Sequence, residues 1–241
     1  MSSIPYLWVP DLPSGTEPFE LPEEVGRHVA GVLRMRAGEP LHLFNGLGAA
    51  LACVLLTVHR DRATVRSVGP ALGAPEPPVR IWVSQALPKQ AAKLESVLQH
   101  GTELGAAGFR VFSARRSVAV WEPAKRSERI ARCRRIVVGA AEQSHRTWMP
   151  EVEWSDRGPF QGTGLAVILH ESAQLPLESL LGADPRGEIT LAVGPEGGFT
   201  NDEVEQWTAA GAHAVHLGPR ILRTETAALA ALSRILARCG Q

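Results

Sequence analysis

Apolar and polar positions follow two different rhythms along this chain, and the change falls at residues 69–78. Before it, short apolar runs at Leu41–Phe44, Leu51–Val58 and Ala63–Val68 read as strands. Between the first two, Asn45-Gly46-Leu47-Gly48 supplies the positive backbone angles that a hairpin turn needs. Arg27–Met35, with Val29, Val32 and Leu33 on one face, predicts a short helix. These elements predict a compact β-rich module. The glycine- and proline-rich stretch Gly69–Pro78 predicts a linker.

Beyond the linker, strand and helix patterns alternate. Buried strands are predicted at Val79–Ser84, Phe109–Phe112, Leu165–Leu169, Ile189–Val193 and Ala214–Leu217. Lys89–Leu104 is amphipathic, with Leu94, Val97, Leu98 and Leu104 on one face and Gly105 placed as its C-terminal cap. Ser127 is placed to cap a helix running to Gln143, with Ile130, Cys133, Val137 and Ala141 inward. Thr200 and Glu203 form a capping-box pattern for a helix ending near Gly211, and Glu225–Cys239 predicts a terminal helix. Alternation of this kind predicts a parallel sheet covered by helices on both faces. The apolar faces at Leu94, Val97 and Leu98 and at Leu229, Leu232 and Leu236 fit a core or a subunit interface equally well.

Composition narrows this picture. A chain of 241 residues can bury a real core in one or two domains. It has no apolar run of about eighteen residues and no basic-then-apolar leader, so a soluble cytoplasmic protein without a membrane partner is expected. Cys53, Cys133 and Cys239 lie far apart, with no spacing suited to zinc or to a disulfide framework. Basic and acidic residues balance at 25 each, yet arginines crowd the segment from Arg110 to Arg135. Arginine binds phosphate in a planar, bidentate manner, so this cluster fits an RNA footprint; it fits a solvated face as well.

Candidate chemistry concentrates near the C-terminus. Gly194-Pro195-Glu196-Gly197-Gly198-Phe199-Thr200 and Leu217-Gly218-Pro219-Arg220-Ile221-Leu222-Arg223-Thr224-Glu225-Thr226-Ala227 each follow a predicted strand and open a helix. Two such turns on neighbouring strands would form a crevice of exposed backbone groups, the usual ligand position in an open α/β sheet. No Walker, GxGxxG or GxSxG pattern accompanies them. His213 and His216 share a strand face without a third ligand, so packing or surface roles are expected and no metal is.

These two segments closely resemble the ribosomal RNA small-subunit methyltransferase E family. So do Thr102-Glu103-Leu104-Gly105, Arg116-Ser117-Val118 and Ala141–Arg146 leading to Pro150. In the N-terminal part, Arg27-His28, Val32–Glu39 and Leu43–Gly46 are similar to the same family, so the resemblance spans nearly the whole chain. Ala106-Ala107-Gly108 departs from the more β-branched stretch expected there. The resemblance implies a SPOUT-superfamily α/β protein: a PUA-like RNA-binding β-barrel over residues 1–72, then a trefoil-knotted methyltransferase domain with a parallel sheet over 73–241. It also implies a homodimer, S-adenosyl-L-methionine as cofactor, and methylation of N3 of a uridine in 16S rRNA of the small ribosomal subunit.

Mapped onto this chain, the cofactor loops are Leu169-His170, Gly194-Pro195-Glu196-Gly197-Gly198, and Leu217-Gly218 with Ile221, Leu222 and Thr224. Glycines let backbone approach a ligand, and Ile221 and Leu222 offer an apolar lining. Arg223 is the candidate cation for negative charge developing on the uracil ring, and Glu225 the candidate that orients it or relays the proton; both also fit helix-start electrostatics. Glu196 fits a contact to ribose or base, or a role in holding its turn. Arg27, Arg34, Arg36, Arg116 and Arg146 are the candidate RNA contacts. A knotted ribose 2′-O-methyltransferase and a non-catalytic assembly factor that only binds RNA remain the competing functions.

Overall fold

The computed structural model describes residues 4–240. They divide into two units, one reaching Glu76 and reclaiming Ala141–Met149, the other formed by Pro77–Ala140 and the chain from Pro150. In the first unit, β1 (Tyr6–Trp8), β2 (Phe19–Glu20), α1 (Glu23–Arg27), β3 (Pro40–Phe44), β4 (Ala50–His59) and β5 (Arg62–Pro70) follow one another. The five strands pair in the order β1-β3-β4-β5-β2. Alternate residues Leu41, Leu43, Cys53, Leu55, Ala63 and Val65 point into one buried cluster. The hairpin between β3 and β4 turns at the predicted place: Gly46 and Gly48 have φ of 78° and 98°, and the Asn45 side chain accepts the Leu47 and Ala49 N–H groups.

The helix predicted over Arg27–Met35 lies earlier. It starts at Glu23, after Pro22, and continues through a wide π-type turn over His28–Val32. Val29 is buried, whereas Val32 is 70% exposed, so the apolar face read from the pattern is not the face that packs.

The second unit comprises β6 (Val79–Ala86), α2 (Ala91–Leu104), β7 (Gly108–Phe112), α3 (Pro123–Gln143), β8 (Glu151–Ser155), β9 (Leu165–Leu169), β10 (Leu175–Pro176), β11 (Gly187–Val193), α4 (Asn201–Ala209), β12 (His213–His216) and α5 (Thr224–Arg238). The last residues of α3 belong to the first unit. Seven strands pair in the order β10-β12-β9-β11-β6-β7-β8. Every pairing between them is parallel, as expected from the alternating pattern.

Helices cover both faces, because neighbouring residues on a strand point opposite ways. Ala86 joins Ile168, Ala192, Phe199 and Ala212 in the cluster closed by Trp207 of α4. Its neighbour Gln85 reaches Thr224 at the start of α5. The α2 helix packs on α5, and α5 packs on β6 and β11. Leu94, Val97, Leu98, Leu232 and Leu236 are therefore core residues, and Leu229 is half-buried.

Gly105 caps α2 in the left-handed region, at φ 108°. Ser127 is not a cap: α3 already begins at Pro123, where a missing N–H costs nothing in the first turn, and Ser127 is exposed inside it. Ile130, Cys133, Val137 and Ala141 do face inward. The short strands β1, β2, β8 and β10 were not foreseen from the pattern.

Candidate active site

Because the sheet is parallel, the carboxyl ends of β6, β9, β11 and β12 share one edge. A cleft of about 740 Å³ opens there. It brings together, from three separate loops, Leu169, His170, Gly194-Pro195-Glu196-Gly197-Gly198, Leu217, Gly218, Ile221, Leu222, Arg223 and Thr224. Arg220 of the second motif also lines it, as do Lys93 and Gln90 at the start of α2 and Glu171, which carry no recognisable local pattern in the sequence.

The loop after β11 is a tight turn in which the Gly198 N–H donates to Pro195 O at 2.9 Å. Gly198 has φ 67°, and a Cβ on Gly194 would sit 3.2 Å from the Gly198 Cα. Both positions therefore favour glycine, and the backbone lies open to a ligand. On the other side of the cleft, His216 Nδ1 accepts the Gly218 N–H at 3.0 Å and fixes the second glycine turn. That is a structural role for His216, and His213 is exposed.

Glu196 is held from behind. Its carboxylate accepts the Lys89 N–H and, at 2.8 Å, a hydrogen from Lys93 Nζ. Burial pushes the Glu196 carboxyl up, but these hydrogen bonds and the Lys93 charge outweigh it and leave it below the ordinary value of 4.5. The geometry favours the turn-holding role among those expected for Glu196.

Arg223 and Arg220 are exposed at the cleft, and neither guanidinium has a hydrogen bond or ion pair among the described residues. Glu225 is half-buried, does not line the cleft, and makes no hydrogen bond to Arg223; its Oε2 is buried without a partner among the described residues. The expected orienting contact between them is absent because Arg223 stands before α5 in extended backbone while Glu225 lies inside its first turn.

The arginines read as RNA contacts separate sharply. Arg146 is 4% exposed and paired with Glu76, so it is a buried structural residue of the first unit. Arg116 Nη1 donates to Gly197 O and Phe199 O, which commits it to the glycine turn. Arg27 pairs with Glu23 on the helix surface. Arg34 and Arg36 are exposed.

Most of the cluster from Arg110 to Arg135 is likewise committed. Arg110 is buried with Glu153 and over the Trp82 ring. Arg115, Arg126 and Arg132 pair with Asp202, Asp156 and Glu95. Arg134 donates to Val152 O. A linear count of charge could not show these partners.

Comparison with known proteins places the chain in a family. The model of the RNA methyltransferase domain family matches residues 75–236, which contain the whole cleft. The chain is 38% identical to the ribosomal RNA small subunit methyltransferase E of Mycobacterium bovis, over 87% of this chain and 82% of that protein. It is 35% identical to the Bacillus subtilis protein of the same name, over 90% and 89%. Among solved structures, the ribosomal RNA small subunit methyltransferase E of Neisseria gonorrhoeae bound to S-adenosyl methionine superposes with a TM-score of 0.88 at 29% identity, covering 98% of each chain. A methyltransferase of Legionella pneumophila in complex with the same cofactor gives 0.89 at 31%, again over 98% of each. This chain therefore belongs to the ribosomal RNA small subunit methyltransferase E family of RNA methyltransferases.

Proposed function

We propose that this protein transfers a methyl group from S-adenosyl-L-methionine to N3 of a uridine in 16S rRNA of the small ribosomal subunit. The observation that carries the proposal is the meeting of both glycine turns in one cleft, in a chain whose relatives act on ribosomal RNA by name and whose structural neighbours hold that cofactor.

The residues present fit the cofactor. Gly194 and Gly198 leave backbone accessible, and Leu217 and Leu222 give apolar walls; backbone N–H and C=O groups are the kind that read the edge of an adenine. When bound, the cofactor supplies an electrophilic methyl on a sulfonium. What remains for the chain is positioning and charge. Uridine N3 must lose a proton before it attacks, and negative charge spreads to the uracil oxygens. Arg223, exposed at the cleft and without an acidic partner among the described residues, is placed to stabilise that charge. Glu225 retains an unpartnered, buried oxygen close in sequence and serves as the candidate for proton relay.

The first unit, with its five-stranded sheet and exposed Arg34 and Arg36, is read as the PUA-like RNA-binding module expected over 1–72, its bounds reaching Glu76 and taking in Ala141–Met149. The second unit is read as the trefoil-knotted domain expected over 73–241. Support comes from the strand order, in which β11 enters between β9 and β6, and β12 between β10 and β9. A cytoplasmic homodimer completes the proposal.

Nucleoside mass spectrometry of small-subunit rRNA, from cells with and without the gene, tests it. Loss of 3-methyluridine, restored by the intact protein and not by Arg223→Ala, is the expected result. Unchanged 3-methyluridine would overturn the reaction, and loss of a ribose 2′-O-methyl mark would reassign it.

A further inference from the structure

The two glycine turns of the cleft leave different strands, and a chain of hydrogen bonds that starts on a third strand, β6, fixes the distance between them. It begins at Gln85 on β6, 1% exposed and paired in register with Val193, the last residue of β11. Gln85 Nε2 donates to Ala86 O at 2.9 Å and to Thr224 Oγ1 at 2.9 Å. Thr224 Oγ1 in turn donates to Gly194 O at 2.5 Å.

The direction of this chain is settled by counting hydrogens. The amide nitrogen has two, directed at Ala86 O and Thr224 Oγ1, with Gly194 O a longer contact at 3.5 Å. The Thr224 hydroxyl has one, and it lies on the Gly194 carbonyl. Turning the amide over would set an oxygen against Ala86 O and leave Thr224 no hydrogen to offer it. Linked in this sense, each bond polarises the next, and the linkage is stiffer than its separate parts.

The arrangement has a cost that the fold does not require. Gln85 Oε1 is buried with no donor among the described residues. An apolar side chain of the same size would fill the space without burying an unpaired Oε1. The amide is thus better explained by what it aligns than by what it stabilises. It ties the end of β6 to the first residue of α5, and through that residue to the turn after β11.

We infer that Gln85 is a positioning residue of the cofactor site, acting through Thr224 to hold the Gly194 carbonyl and the start of α5 at one separation. The inference rests on the methyltransferase reading. It concerns preorganisation of the cleft and assigns Gln85 no contact with the cofactor.

The test is calorimetric binding of S-adenosylhomocysteine to the full-length protein and to Gln85→Leu, Thr224→Val, Thr224→Ser and the double variant Gln85→Leu/Thr224→Val. Ligand-free melting curves check that each is folded. Wild type binds, and Gln85→Leu and Thr224→Val each weaken binding by about tenfold or more, the scale of one lost hydrogen bond. Thr224→Ser, which keeps the hydroxyl, stays within about threefold. The double variant binds no more weakly than the weaker single, because both break one linkage. Folded Gln85→Leu and Thr224→Val proteins that bind as wild type does would overturn the inference, as would a double variant that loses the product of both effects. Should Gln85→Leu fail to fold, Thr224→Val against Thr224→Ser decides alone. A wild type that does not bind S-adenosylhomocysteine would instead sink the cofactor reading.

Discussion

Glu196 shows how much a single residue's role depends on partners distant in sequence. Its place in a glycine turn was legible, and so was its nearness to a ligand cleft. Its partners Lys89 and Lys93 lie more than a hundred positions away in the chain, and no local pattern names them. The pair has a pH signature. Because the folded Glu196 carboxyl is held below 4.5, its contribution is complete above 4.5 and is lost as pH falls further. Wild type should melt at a higher temperature than Glu196→Gln at neutral pH, and the gap should close as pH falls below about 4.5. A gap that does not narrow on acidification would remove the charge from the account.

At the scale of elements, local rules worked where the signal is local. The Thr200–Glu203 capping box forms as read: the Glu203 N–H donates to Thr200 Oγ1, and Glu203 Oε2 accepts the Thr200 N–H. What the pattern did not show is that Glu203 is 6% exposed and that its Oε1 also accepts the Arg115 N–H, from the loop after β7. One carboxylate therefore starts α4 and pins a second loop. Glu203→Ala should cost about 2–3 kcal/mol in urea unfolding, and Glu203→Gln roughly half as much, since the amide oxygen can keep one acceptor role. Equal, small losses for both would show that the buried bonds contribute little. Strands β2 and β10, two residues each, escaped prediction because alternation needs more length than that to register. The start of α3 was misplaced because a serine is a weaker marker than the proline that stands before it.

For the whole molecule, the chain's return matters more than any motif. Ala141–Met149 leave the second unit and complete the first. Ala141 joins Tyr6, Phe44 and Ala50 in one cluster, Glu142 accepts the Trp8 N–H, and Arg146 pairs with Glu76. Arg146→Ala should cost about 3–5 kcal/mol, the usual result of stripping a buried charge of its partner, and Arg146→Lys should recover only part. Chemical denaturation monitored by tryptophan fluorescence would read both, and a loss below about 1 kcal/mol would make the pair a surface-like one.

The sequence by itself determined the family, the alternation of strand and helix, the parallel sheet, and the two glycine turns, since each depends on neighbours within a few residues or on a motif read in order. Tertiary structure decided which arginines remain free, that the apolar faces of α2 and α5 are core, and that Gln85 is tied to Thr224, 139 residues away. The reason is physical: periodicity and turn chemistry are local, whereas burial and hydrogen-bond partnership are settled only when distant segments meet and exclude water.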